Sequence, residues 1–169
     1  MTSTAVATEP LSTVVQTVTA DTVHRDDGPS FFRLRPPAPI RLLAASWDKT
    51  HNPPRATSGH VALEYPVTSD IVVSRSLYAV TDEMRDALLA SELTGFEFGP
   101  LAVTRSHHLV SQGGAEPALH TLVLTGRACR SDIAPWRCDS LALSRRAARF
   151  FWRHDPALLA FTTALDVIV

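Results

Sequence analysis

The sequence has 169 residues, of which 45% are hydrophobic and 20% are charged, and its net charge is −1. These values are typical of one globular domain, which we expect over residues 31–169. Strong nonspecific binding to nucleic acid requires a surplus of basic side chains, and a membrane helix requires about 20 consecutive apolar residues. The sequence has neither feature, so we expect no nucleic-acid partner and no membrane partner.

Residues 1–30 are predicted to form a partly flexible N-terminal arm. They are rich in Thr, Ser and Asp, and Asp26-Asp27-Gly28-Pro29 is typical of a turn. Val and Thr within Ser12–Thr19 favour a strand, so both a β-rich arm and a mobile tail fit this stretch.

Short strands are predicted in the first half of the domain. Phe31–Arg35 precedes a proline cluster, and Val61–Tyr65 alternates apolar and polar residues as a half-buried strand does. Asp70–Ser74 is a further apolar strand. The segment His51–Gly59 contains Asn52-Pro53-Pro54 and is predicted to be an exposed loop.

A helix is predicted over Asp82–Leu93, because Val80, Met84 and Leu88 share one face. Gly95 is expected to end it as a C′ glycine. A strand containing Phe96 and Phe98 follows, and Leu101–Thr104 could extend it.

The second half continues the same mixture of elements. Leu119–Thr125 is the clearest core strand, Ala134-Pro135 is expected to interrupt regular structure, and a helix is predicted over Ser144–His154 with Ser144 as its N-cap. We also predict a loop over 112–117, a helical turn through Thr163 and a strand over Val167–Val169. The total of about six short strands and two or three helices predicts an α+β fold.

One internal similarity points to a duplicated strand–helix–strand unit. A shift of 70 residues aligns Ser74-Arg75 with Ser144-Arg145, and Ala87–Ala90 with Ala157–Ala160.

Opposite charges are concentrated in neighbouring parts of the sequence. Residues 31–60 hold five basic side chains and one acid, whereas residues 61–100 hold seven acids and two arginines. Either these two parts attract each other within the fold, or the acids form a face that attracts a basic partner.

Histidine and cysteine give no catalytic or metal-binding signature. Neighbouring positions on a strand face opposite sides, so His107 and His108 are better explained as turn residues than as ligands of one metal. His120, in a core strand, is expected to be satisfied at a sheet edge rather than to act as a base. Cys129 and Cys138 fit no zinc spacing, and the basic residues between them predict a loop. We therefore expect no metal, no cofactor and no catalytic residue.

Cysteine usage also bears on the compartment. Small secreted domains usually contain several disulfides, whereas this sequence has two cysteines and no recognisable signal peptide. We expect a cytoplasmic protein with reduced thiols.

The second predicted helix carries a basic stripe interleaved with aromatic residues. Such mixtures occur in nucleic-acid-binding proteins, but consecutive aromatic residues must partly face the core, and a solvated face is the ordinary explanation. The residues are Arg145, Arg146, Arg149 and Arg153, with Phe150, Phe151 and Trp152 among them.

Two segments resemble a bacterial family of toxin-immunity-type proteins. They are Asp70–Ser74 followed by a helix and Leu93-Thr94-Gly95-Phe96-Glu97-Phe98-Gly99-Pro100-Leu101, and the strand 119–128. The family includes the double-CXXCG proteins of myxobacteria and related immunity domains of polymorphic toxin systems. The chain lacks the paired cysteines of the double-CXXCG proteins, so no metal role is carried over. The resemblance implies a protein that binds and neutralises a cognate toxin.

We therefore expect a non-catalytic immunity-type protein whose partner-binding surface includes Asp82, Glu83 and Asp86. These acids lie opposite the apolar face of their predicted helix. The alternatives are a small tailoring enzyme of a biosynthetic pathway and a subunit of a larger protein assembly.

Overall fold

The computed structural model describes Thr19 and residues 30–110 and 117–165. In this part the chain forms eleven β-strands, three α-helices and one 3-10 helix, which confirms the α+β class. The predicted count of six strands is wrong. The predicted arm, except for Thr19 and Ser30, lies outside the described residues, as do most of the loop 112–117 and the strand Val167–Val169.

Most strands are short. In chain order they are β1 (Phe31–Leu34), β2 (Ile40–Asp48), β3 (Arg55–Leu63), β4 (Ile71–Ser74), β5 (Leu77–Thr81), β6 (Phe96–Gly99), β7 (Leu101–Arg105), β8 (Leu119–Leu124), β9 (Ile133–Arg137), β10 (Ser140–Ser144) and β11 (Thr162–Leu165). The helices are α1 (Asp82–Leu89), α2 (His107–Val110) and α3 (Arg145–His154), and the 3-10 helix spans Pro156–Phe161.

The strands form three sheets. The terminal sheet has the order β11-β1-β10-β9, and the central sheet has the order β4-β5-β8-β6. Neighbouring strands in both are antiparallel. The hairpin sheet has the order β2-β3-β7, in which β3 and β7 run parallel.

The central sheet is covered on both faces. Ile71, Val73 and Tyr78 contribute to a core shared with the terminal sheet, α1 and α3, whereas Val72 and Leu77 belong to a second core shared with the hairpin sheet. Because successive side chains enter different cores, β4 and β5 are continuous apolar runs without polar alternation.

A hairpin followed by a helix occurs twice in the fold. Thr81 caps α1 and Ser144 caps α3, and each hydroxyl accepts a hydrogen bond from a backbone N–H three residues later. Asp70 accepts a hydrogen bond from the Thr81 hydroxyl at 3.1 Å, and Asp132 accepts one from the Ser144 hydroxyl at 2.7 Å. Equivalent residues are therefore about 62 or 63 positions apart.

The alignment of Ser74 with Ser144 at a shift of 70 residues is wrong. Ser74 ends β4 and is followed by a turn into β5, whereas Ser144 is the residue before α3. The observed unit is strand–strand–helix, because a second strand returns along the first before each helix begins.

Several predicted boundaries are corrected. Strand β3 begins at Arg55, inside the predicted loop His51–Gly59. Pro135, expected to interrupt regular structure, lies within β9, which is an edge strand where a missing N–H is tolerated. Strand β9 also replaces the loop expected between the two cysteines. Helix α1 ends at Leu89 rather than Leu93.

Gly95 does not end the helix but permits a close approach of two chain segments. Its φ is +100°, and a Cβ placed on it would lie 2.0 Å from the Ile133 carbonyl oxygen. The Gly95 carbonyl in turn accepts hydrogen bonds from the backbone of Thr125 and Gly126. A side chain at position 95 would push β9 away from the end of β8.

The substitution Gly95→Ala should therefore destabilise the protein by about 3 kcal/mol or more, because backbone strain and a steric clash act together. Urea unfolding followed by far-UV circular dichroism measures the change. An unchanged unfolding midpoint would contradict the close approach.

Among the described residues, Asp132 is the carboxylate that accepts the most hydrogen bonds. Burial raises its pKa, but hydrogen bonds from Arg146, Ser144 and Thr94 outweigh burial and lower the pKa to about 2. The Arg146 guanidinium lies 2.7 Å from the carboxylate, and Thr94 donates through both its backbone N–H and its hydroxyl at 3.0 Å.

The substitution Asp132→Ala should lower the free energy of unfolding by about 2 kcal/mol at pH 7, on the scale of the lowered pKa. A lowered pKa stabilises the fold above the unfolded value near pH 4, and this contribution is lost as the pH falls toward 2. The difference between wild type and variant should therefore shrink between about pH 4 and pH 2.

The matched control is Asp139→Ala. Asp139 pairs with the exposed Arg35, so its removal should cost less than about 1 kcal/mol. A pH-independent difference for Asp132→Ala would show that the carboxylate charge does not contribute.

Candidate functional site

Two surface features are candidates for function: the outer face of α1 and a cleft between the hairpin sheet and the terminal sheet. On α1, the structure brings the predicted residues Asp82, Glu83 and Asp86 to the surface, while Met84 and Leu88 are buried. The side chains of Asp82 and Asp86 are 51% and 66% exposed. Leu89, at the end of the same face, is 64% exposed.

Two of these acids are held in place by neighbouring side chains. Arg85 donates to Asp82 at 3.1 Å and to Asp86 at 2.7 Å. His120 Nε2 lies 2.5 Å from the same Asp82 oxygen and 2.7 Å from the Arg85 guanidinium, so the imidazole contacts both groups. Three carboxylates around one arginine leave this face negatively charged, and the pairing fixes the orientation of two of them.

The expectation that His120 lies at a sheet edge is wrong. It is on β8, between β5 and β6. It contacts Asp82, which lies 38 residues away in the sequence.

The basic segment 31–60 and the acidic segment 61–100 form few ion pairs with each other. Of the ion pairs between described residues, only Arg41–Glu64, at 2.6 Å, joins the basic segment 31–60 to the acidic segment 61–100. Arg33 and Arg35 instead pair with Asp139. Attraction between the two segments is therefore a minor contribution.

The basic stripe of α3 is partly structural. Phe151 is fully buried, and Trp152 packs edge-on against Phe32 with ring centroids 5.8 Å apart. Arg146 is committed to Asp132. An open groove of about 550 Å³ runs beside the helix, lined by the four arginines together with Ser91, Glu92, Leu93 and Phe150.

The remaining histidines and cysteines are scattered. His107 begins α2, Cys129 is half-buried and Cys138 is exposed, and both thiols are free. Among the described residues, no three His, Cys, Asp or Glu side chains form a group that could hold a metal.

The helices in the described part of the chain are too short or too polar to cross a membrane.

The cleft has a volume of about 610 Å³. One wall is the loop between β2 and β3 with the start of β3 (residues 50–56), and the other is the end of β9 with Cys138 (residues 135–138). Tyr78, Leu122 and Leu124 lie between these walls, so the floor is apolar. We call it the Trp136 cleft, after the 38% exposed tryptophan that lines it.

Tyr78 connects the floor of the cleft to one wall. Its hydroxyl donates to the carbonyl oxygens of Ser140 at 2.9 Å and Arg137 at 3.2 Å. Burial, followed by the nearby Asp139 carboxylate, raises the pKa of Tyr78 above its ordinary value. The phenol therefore stays protonated, and its hydroxyl positions the β9–β10 turn.

The opposite wall is organised by Asp48. Its carboxylate accepts hydrogen bonds from the backbone and hydroxyl of Thr50 and from Arg55, and it lies 3.1 Å from His51 Nδ1. The Thr50 hydrogen bonds, helped by Arg55 and His51, lower the pKa of Asp48 to about 2.

Arg127 and Arg137 give the cleft a positive charge. Both line the cavity, and within the ranges 30–110 and 117–165 neither side chain pairs with a carboxylate. The neighbouring acids Asp48 and Asp139 are already paired with other basic residues.

Sequence reasoning missed this cleft. Its residues come from four separate segments, and only the fold brings them together. The single local signal was Trp136-Arg137, an aromatic and a cationic residue adjacent on a stretch that was predicted to be a loop.

Comparison with family models, with curated proteins and with solved structures found no match to this chain. The resemblance to immunity-type proteins therefore stays a prediction that rests on the sequence segments themselves.

The substitution Tyr78→Phe should lower the free energy of unfolding by about 1 to 3 kcal/mol, because two carbonyl oxygens lose their donor. Urea unfolding at pH 7 measures the change. Tyr65→Phe is the matched control. Tyr65 is 66% exposed, so removal of its hydroxyl should change stability little. Equal stabilities of the two variants would contradict the role assigned to Tyr78.

Proposed function

We propose that this protein binds and neutralises a cognate bacterial toxin without catalysing a reaction, and that the outer face of α1 is part of the contact surface. The proposal combines the resemblance of residues 70–101 and 119–128 to immunity-type proteins with one observation. That observation is an exposed leucine, Leu89, beside an acidic row in which Arg85 and His120 hold Asp82 and Arg85 holds Asp86.

This arrangement suits a protein interface for a physical reason. Protein interfaces usually combine an apolar centre with a charged or polar rim. Here Leu89 would supply apolar contact, and Asp82, Glu83 and Asp86 would attract a basic partner. Because Arg85 already restricts two of the acids, less side-chain entropy is lost when a partner binds.

The proposed compartment is the cytoplasm, a choice that rests on the scarcity of cysteine.

The toxin is to be sought first in the product of the gene directly upstream. Expression of that product in a bacterial host should arrest growth, and co-expression of this protein should restore it. Biolayer interferometry with the two purified proteins should then detect a direct complex. Growth arrest that this protein does not relieve, together with no binding at micromolar concentration, would overturn the proposal.

The α1 contact is tested with the same pair of proteins. Glu83→Lys should slow association several-fold at low salt, because exposed charges act mainly on the association rate. The difference should vanish near 1 M salt, where the screening length is about 3 Å. Glu97→Lys on β6 is the matched control, since Glu97 is also an exposed acid.

A separate variant tests the apolar part of the proposed contact. Leu89→Ser should speed dissociation about tenfold or more, because burial of a leucine contributes about 1.5 to 3 kcal/mol. Leu43→Ser, which changes a 43% exposed leucine on β2, should leave dissociation unchanged. If both α1 variants match wild type, α1 lies outside the interface.

A further inference from the structure

We propose that the Trp136 cleft binds a small aromatic anion, meaning a molecule with a planar apolar body and a phosphate or carboxylate group. This inference is independent of toxin binding, because the cleft and the outer face of α1 share no residue.

The size and floor of the cleft fit the apolar body. Its volume of about 610 Å³ lies within the range of about 300 to 1,000 Å³ that is usual for small-molecule sites. Leu122 and Leu124 provide an apolar floor beside the Tyr78 ring, and the partly exposed Trp136 offers an aromatic surface. Aromatic rings pack favourably against such surfaces.

The charge of the cleft favours an anion. Arg127 and Arg137 line it and, in the described part of the chain, have no carboxylate partner. The Asp48 carboxylate is not a partner for these arginines, because it already binds Thr50, Arg55 and His51. A guanidinium group binds phosphate or carboxylate through two parallel hydrogen bonds, so the two arginines are suited to that group.

Both walls are ordered without a ligand. Tyr78 holds the β9–β10 turn through two carbonyl oxygens, and Asp48 holds the β2–β3 loop through Thr50 and Arg55. Binding of a ligand in the cleft therefore costs little loop entropy, and this low cost favours affinity.

Isothermal titration calorimetry with four probes tests the chemistry. The probes are 1-naphthyl phosphate, 2-naphthoate, 1-naphthol and inorganic phosphate. At least one of the aromatic anions should bind at least about tenfold more tightly than 1-naphthol or inorganic phosphate, since the charged hydrogen bonds and the apolar contact are both needed. The ratio of the first two probes distinguishes a phosphate site from a carboxylate site.

Variants locate the binding in the cleft. Arg127→Gln and Arg137→Gln should each weaken binding of the preferred probe about tenfold, and Trp136→Ala should weaken it to a similar extent. The matched control is Arg130→Gln, because Arg130 is an exposed arginine in the same loop as Arg127 but does not line the cleft. Thermal unfolding of each variant verifies that it is folded.

Three results would overturn the inference: no binding of either aromatic anion at millimolar concentration, equal binding of 1-naphthol, or full affinity in the Arg127→Gln/Arg137→Gln double variant. Glu83→Lys separates this site from the toxin-binding proposal. It should leave probe binding unchanged, whatever its effect on a protein partner.

Discussion

The Asp132 carboxylate is the contact on which the arrangement of the fold depends. It accepts hydrogen bonds from Ser144 and Arg146 at the start of α3 and from Thr94 in the segment between α1 and β6. A charged acceptor with several well-placed donors forms strong hydrogen bonds, which offset the cost of its burial. Strand β9 begins at the next residue, so the same contact directs the strand that carries Trp136 and Arg137 to the cleft.

The two hairpin–helix units are joined reciprocally. Asp132, which begins the second unit, binds Thr94 in the segment that follows the helix of the first unit. Asp155, which follows the helix of the second unit, accepts a hydrogen bond from the backbone of Asp70, which begins the first unit, and another from Ser69. The first residue of each unit is therefore hydrogen-bonded to the segment that follows the helix of the other unit. Loss of either the Asp132–Thr94 or the Asp155–Asp70 contact should therefore destabilise both units.

Local signals in the sequence were sufficient for some elements. Ser144 as an N-cap, the apolar run of β8 and the outward position of the acids on α1 all depend on neighbouring residues, and the structure agrees with each. These features need no information about the rest of the chain.

Other elements depended on distant contacts and were missed. Strand β2 has two register shifts against β3, after Leu42 and after Ser46, so its apolar residues do not alternate regularly. Strand β5 is buried on both faces, which removes the alternation that identifies a strand. The cleft joins residues 50–56, 76–78, 122–127 and 135–138, and the contact of Arg85 with His120 spans 35 residues. Such sites follow from the sheet order, which no local pattern specifies.

Pro135 has a consequence for how other chains can approach this protein. It lies on β9, the open edge of the terminal sheet, opposite Leu141 and next to a register shift between Ser140 and Leu141. Proline has no backbone N–H to donate, and an irregular edge is a poor template for another strand. The terminal sheet is thereby protected from edge-to-edge aggregation along β9. Any molecule that approaches from this side must be recognised by side chains and shape, because the edge offers no regular backbone ladder.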